Sequence, residues 1–278
     1  MTAVPQSGPA SPDAPQPAPA GSFQIERDFA GRQFVGTRRM QEDFYAFCDI
    51  SASKESAGSR LLVALGDGLG AHVGGNVASY LIVDEFVKAY KRSTLSTSWR
   101  LRVALETANE KLCELSAKLA TELAPMGSTL VGVSVTRECV HWVSVGDSPM
   151  FLFRADALTR LNADHSLAPI LDERVRIGEL TIEEAAHHPD RHILQSACLG
   201  QPLTIVDARM DPYELKSGDI LIVASDGILT LDPVHLEQML AFGKNTTAGK
   251  IADAIIFAVR CADHPRQDNA TVCVVKIP

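Results

Sequence analysis

The sequence predicts an α+β fold, two antiparallel sheets stacked face to face with helices outside, and three observations carry that reading. Leu61 to Leu65 are five apolar residues in a row, which leaves no polar face for water and marks a strand buried on both sides. From Ser128 to Arg154, three strand-like runs (STLVGVSVT, CVHWVSVG and MFLFR) are joined by turns too short for a parallel crossover, so they read as an antiparallel meander. Helical patterns lie before and after these strands and cannot fit within a sheet, so they are expected to cover the outer faces.

In chain order, residues 1 to 22 carry six prolines and almost no bulky apolar side chains, a composition that cannot offset its ordering entropy; a disordered or extended tail is expected. The folded domain is expected over residues 23 to 278. FYAFCDI, from Phe44 to Ile50, reads as a strand paired with Leu61–Gly66 across the loop SASKESAGS. Helical periodicity covers Val77 to Lys91. A longer helix is expected from Trp99 to Leu123, with one stripe through Leu101, Leu105, Ala108, Leu112, Leu115 and Leu119 and with Ser98 as N-cap. Residues 166 to 200 are polar and weakly patterned, with one short helix in LTIEEAAHHPDRH. Strands resume at Thr204 to Met210 and Asp219 to Ala224. A helix from Pro233 capped by Asp232, a last helix from Ala248 to Ala262 and a strand from Thr271 to Ile277 complete the chain.

The 278 residues, 46% hydrophobic, suffice for one large domain. With 26 basic and 34 acidic residues the net charge is −8, which disfavours nucleic acid as a partner. No apolar run reaches the roughly eighteen residues of a membrane span. No Lys or Arg precedes Arg27 and no signal-peptide pattern is present, so a cytoplasmic location is expected. The six cysteines lack CxxC spacing and read as reduced core thiols. One domain with a helical exterior gives no reason to expect more than a monomer.

Three apolar strands end in an aspartate between small residues: Gly66-Asp67-Gly68, Gly146-Asp147-Ser148 and Ser225-Asp226-Gly227. If those ends lie side by side, three carboxylates converge, and hard divalent cations are the natural way to stabilise them. Ahead of the first lies VGTRRMQEDF, where Arg38 or Arg39 offers a donor fork matched to phosphate and Glu42 and Asp43 add carboxylates. Asp268 and Asn269 stand immediately before the last strand.

In their order and combination (Arg-x-x-x-Glu-Asp, GDG, GSTLVGV, GDS, Asp164-His165-Ser166, SDG and a terminal DN) these motifs resemble the metal-dependent protein phosphatases of the PP2C type, especially their bacterial branch. The resemblance covers residues 23 to 278. It implies a four-layer α-β-β-α sandwich and hydrolysis of phosphoserine and phosphothreonine on proteins by a metal-bridged water, opposing a protein kinase. It also implies two Mg2+ or Mn2+ ions, with a third in many bacterial members. By match, Asp67 would bridge the two ions. Gly68 through its carbonyl and Glu42 would serve one, Asp226 and Asp268 the other, with Asp43 in the acidic set. Arg38 would hold the phosphate, and Asp147 a third ion. The implied partner is a phosphoprotein, either a serine/threonine kinase or its targets.

Two positions depart from the family pattern. Leu69 stands where many eukaryotic members have histidine, and His72 becomes the candidate acid or substrate orienter; Pro149 stands where an arginine often follows Gly-Asp-Ser. Residues 166 to about 195 correspond to the family's mobile flap. His187, His188 and His192 lack the cysteines or carboxylates of a zinc site, and His141 reads as a satisfied structural histidine. A non-catalytic phosphoprotein-binding or regulatory relative is the alternative, and it should have lost a metal aspartate.

Overall fold

The computed structural model describes residues 22–50, 59–69, 74–119 and 126–278. The proline-rich tail, the SASKESAGS loop, His72 and the expected helix end at Leu123 fall wholly or mainly outside those residues. Two strands, β1 (Phe29–Phe34) and β2 (Asp43–Asp49), precede the doubly buried run, which is β3 (Leu61–Leu69). Its residues alternate between two cores. Leu61, Val63 and Leu65 enter the core between the sheets, while Leu62 and Ala64 enter a core beneath helices. That division is the two-residue period of a strand expressed on both faces.

Helices α1 (Gly74–Arg92) and α2 (Thr97–Leu119) cover that face through Ile82, Phe86, Tyr90, Leu101, Leu105 and Leu112. The chain continues through β4 (Gly127–Ser128), β5 (Leu130–Val135), β6 (Cys139–Val145), β7 (Met150–Arg154) and β8 (Ala157–Arg160). Then come α3 (Ala168–Arg176), α4 (Ile182–Ala186), β9 (Asp207–Ala208), β10 (Tyr213–Glu214) and β11 (Ile220–Ala224). A 3-10 turn at Asp226–Thr230, α5 (Pro233–Gly243), α6 (Ala248–Cys261) and β12 (Ala270–Lys276) complete it. One sheet has the order β1-β12-β11-β7-β8; the other has β10-β6-β5-β3-β2, with β4 on β3 and β9 on β6. Helices α5 and α6 seal the first sheet by packing Leu236, Leu240, Ile251 and Ile255 against Ile222, Val272 and Val274. The layers are therefore the expected α-β-β-α sandwich.

The meander is corrected. β5 and β6 pair in one sheet, but β7 crosses to the other, between β8 and β11. A short connection excludes a parallel neighbour yet allows a step to the facing sheet of a sandwich. Gly146 makes that step with φ +104, and a Cβ there would lie 2.5 Å from Thr129 Cγ2.

Other differences are local. Helix α2 begins at Thr97, so Ser98 lies inside its first turn; Thr97 is held by the Arg60 guanidinium at 2.7 Å. The expected strand from Thr204 to Met210 shrinks to β9, because β10 takes the rest of the β6 edge and Pro212, which lacks an N–H, separates the two. Residues 166 to 200 hold two helices rather than one. The short one, α4, closes with a capping box between Thr181 and Glu184; α3 buries only Leu171, too little for an apolar stripe to announce it. Asp232 caps α5 as expected. All six cysteines are free, but only Cys198 and Cys273 are buried, and Cys113 and Cys261 are exposed.

Phe86 locks α1 to the sheet, since its ring fills the space over Gly132, where a Cβ would lie 2.2 Å from Cζ. Phe86→Ala should cost about 3–5 kcal/mol in denaturant unfolding. Phe242→Ala, at a side chain 93% exposed, should stay within about 0.5 kcal/mol. Equal effects of the two substitutions would contradict this packing.

Candidate metal and phosphate site

Antiparallel pairing gathers the acidic residues at one end of the sandwich. Asp43, first in β2, lies opposite Asp67, near the end of β3. Asp147 follows β6, Asp226 follows β11, and Asp268 precedes β12, so all five share that end.

Burial and mutual repulsion dominate their chemistry. Asp67 is pushed well above the usual carboxylate range, first by burial and then by the charges of Asp43, Asp226, Asp147 and Asp268. Burial likewise raises Asp43 to about 6, with Asp268 adding to it, and Asp226 to about 6, with Asp268 and Asp43 adding. Asp147 rises to about 7 through burial, Asp226 and Asp164. Glu42 is raised by burial against the pull of Arg38. In Arg38 burial opposes the charge, but Asp268 outweighs it and the guanidinium is held more firmly protonated. Its Nη2 donates to Asp268 Oδ2 at 2.5 Å. Arg39 is exposed, and of the two it is Arg38 that pairs with the acidic centre.

Neutral groups hold these carboxylates in place. Asp43 Oδ2 accepts from Ser225 Oγ at 2.7 Å and Thr271 Oγ1 at 2.6 Å, while Oδ1 is buried with no hydrogen-bond donor among the described residues apart from the neighbouring Asp67 carboxyl. The Asp67 N–H donates to Thr129 Oγ1, which also bonds Ser148 Oγ. Gly68 donates its N–H to the Glu42 carbonyl, and a Cβ on Gly68 would lie 2.2 Å from the Gly75 carbonyl oxygen at the start of α1. Only glycine permits that approach.

The Gly146–Pro149 step has its own clamp. Arg160 donates to the Asp147 carbonyl at 2.7 Å and pairs with Asp164, and the Gly146 N–H donates to His165 Nδ1. Asn162 takes the Met150 N–H and donates to the Ser148 carbonyl.

These residues fit hard divalent cations. The donors are carboxylate oxygens plus backbone carbonyl, one Asp43 oxygen lacks a neutral partner among the described residues, and cations would relieve the repulsion that helps to raise Asp67 and Asp147. Among the described residues, no three Asp, Glu, His or Cys side chains form a closed metal cluster, so water and carbonyls such as that of Gly68 would complete any coordination shell.

Residues 36–255 match the family described as protein phosphatase 2C. The chain belongs to that family. The serine/threonine phosphatase stp of Listeria monocytogenes is 31% identical over 229 residues, which is 80% of this chain and 86% of that one. The solved structure of the Mycobacterium tuberculosis serine/threonine phosphatase PstP/Ppp matches with TM-score 0.72 at 26% identity, covering 90% of this chain and 97% of that one. A PstP catalytic domain in complex with two manganese ions matches with TM-score 0.69 at 25% identity, over 89% of this chain and 96% of that chain.

In this protein phosphatase the structure brings Arg38, Glu42, Asp43, Asp67, Gly68, Asp147, Asp226 and Asp268 to one end; His72 lies outside the described residues. Sequence reasoning missed the supporting hydroxyls of Ser225, Thr271 and Thr129 and the clamp of Arg160 and Asn162. Their only signal was proximity to the aspartate motifs. His141 is corrected as well: its Nδ1 is buried without a partner among the described residues, and burial lowers its pKa, which favours the neutral ring.

Carboxyls raised on folding bind protons that the unfolded chain has already released. Chelated protein should therefore lose stability as pH rises from about 4 toward about 7, opposite to the effect of a salt-bridged carboxylate. Thermal unfolding in chelator at pH 5 and pH 7.5 checks this. The Tm should be higher at pH 5, and Mn2+ should raise it more at pH 7.5 than at pH 5.

Proposed function

We propose that this protein is a divalent-cation-dependent hydrolase of phosphoserine and phosphothreonine on other proteins, acting in the cytoplasm against a protein kinase. The observation that carries the reading is the set of buried Asp43 and half-buried Asp67, Asp147 and Asp226, raised by desolvation and by each other, with Arg38 at its rim. Serine/threonine phosphatases among the relatives support it. A binding module would need one of these carboxylates to be missing, and none is.

Asp67, Asp43, Glu42, Asp226 and Asp268, with the Gly68 carbonyl, would hold two Mg2+ or Mn2+ ions, and Asp147 a third. When bound, such cations make water nucleophilic at neutral pH and neutralise the phosphate it attacks in line. The protein's own part is orientation and charge. Arg38 exchanges its contact with Asp268 for the phosphoryl oxygens, a bidentate match that a lysine would not reproduce. His72 is assigned, from sequence alone, to protonating the leaving alkoxide. The two buried thiols are no nucleophiles: burial pushes Cys198 up to about 12, and Cys273 is also raised by burial.

Phosphate release from a phosphothreonine peptide should require Mn2+ or Mg2+ and stop with chelator. Asp226→Asn should abolish it in protein that still folds. Arg38→Ala should lower kcat/KM about 10- to 100-fold, the worth of a charge-assisted phosphate contact, mainly through KM. Cation-independent release, or full activity in Asp226→Asn, would overturn the proposal.

A further inference from the structure

The loop over residues 35–42 carries Arg38 and Glu42, yet it contains no helix or strand. Its backbone is satisfied largely by one side chain. Asn269 is 3% exposed. Its Oδ1 accepts the Glu42 N–H at 2.7 Å, and its Nδ2 donates to the Val35 carbonyl at 2.8 Å and the Met40 carbonyl at 3.0 Å. Both ends of the loop, Val35 and Glu42, and Met40 near the second end therefore meet on a single amide. The Gln267 carbonyl adds a second attachment, accepting from Thr37 N–H at 2.9 Å and Oγ1 at 3.0 Å. Gly36 closes the fit: its φ is +65, and a Cβ would lie 2.4 Å from the Asp268 carbonyl oxygen.

We propose that Asn269 is a positioning residue that fixes the Arg38 loop onto the turn carrying Asp268, so that the phosphate-facing arginine and that carboxylate move as one unit. The inference rests on the phosphatase reading for its consequence but not for its geometry. The site needs one acceptor and two donors from a single short side chain, and only a carboxamide supplies them. Aspartate has the same shape, but it would turn an oxygen toward two carbonyls. Serine would leave at least part of the set unmet. Asn269 is buried while its bonds are part-buried, so each lost bond leaves a polar group only partly reachable by water. Arg38 is itself half exposed and, among the described residues, its side chain hydrogen-bonds to Asp268 alone, so its aim depends on the backbone beneath it. Gln267, 3% exposed, supports the same turn by donating from Nε2 to the Gly227 carbonyl beside Asp226.

The test is amide hydrogen exchange on the full chain, comparing parent, Asn269→Asp, Asn269→Ser and Arg38→Ala, with inorganic phosphate as a competitive probe. In both Asn269 variants, exchange across residues 35–42 should speed up about tenfold or more while β12 keeps its parent rate, because opening is local. The inhibition constant for phosphate and the KM for a phosphothreonine peptide should rise together, with a smaller change in kcat. Arg38→Ala should raise KM and leave loop exchange at the parent rate. Parent-like loop exchange in both Asn269 variants would overturn the inference. So would loop and β12 rates rising together, which would make Asn269 a contributor to global stability alone. If the parent itself released no phosphate, the proposed reaction would fall while loop exchange still decided the role of Asn269.

Discussion

The structure depends on holding several carboxylates close together in a place where water does little to shield them. Asp67 stands in the field of Asp43, Asp147, Asp226 and Asp268, and desolvation and repulsion lift Asp43, Asp67, Asp147 and Asp226 above their ordinary range. At an effective dielectric near 20, two unit charges 4 Å apart repel by about 4 kcal/mol. Such an arrangement persists only if the surrounding fold resists relaxation. Here the resistance comes from strands packed on both faces: β3, β11 and β12 each send alternate residues into the core between the sheets and into a helix-covered core. Moving one aspartate away would require shifting a strand whose residues are locked on both sides.

The fine control is polar. Ser225 and Thr271 fix one oxygen of Asp43 and leave the other without a neutral partner among the described residues. Arg160, Asn162 and His165 brace the Gly146–Pro149 step beside Asp147, and Asn269 braces the loop of Arg38. Except for Arg160, whose charge pulls Asp147 down against its burial, these groups are neutral, so they set geometry and leave most of the acidic charge in place. That charge is what a phosphatase of this family needs to retain cations. The cost falls on stability of the cation-free chain, a familiar exchange at functional sites.

Much of this was legible in the sequence because the chemistry and the fold share residues. A run such as Leu61–Leu65 announces a doubly buried strand, and the aspartate that follows it is conspicuous for the same reason. The crossing of β7 was not legible, since Gly-Asp-Ser-Pro permits either a hairpin or a step to the facing sheet, and only the packing of Phe151 and Phe153 in the core with α5 and α6 decides. Helix α3 escaped because its surface is mostly wet, and β1 because its burial is uneven. The candidate carboxylates share one end of the sandwich, the convergence that their place after or before apolar strands suggested. Their supports were not legible, because a serine or asparagine carries no sign of which distant backbone it will bind.

The central claim is that this acidic centre is a cation site whose protons leave when cations enter. Titration calorimetry of Mn2+ into the apo protein, repeated in buffers of different ionisation enthalpy, measures ions bound and protons released together. The account predicts at least two Mn2+ per chain, with clear proton release at pH 6 that fades by pH 8. Binding without proton release at pH 6, or no binding to folded protein, would contradict it.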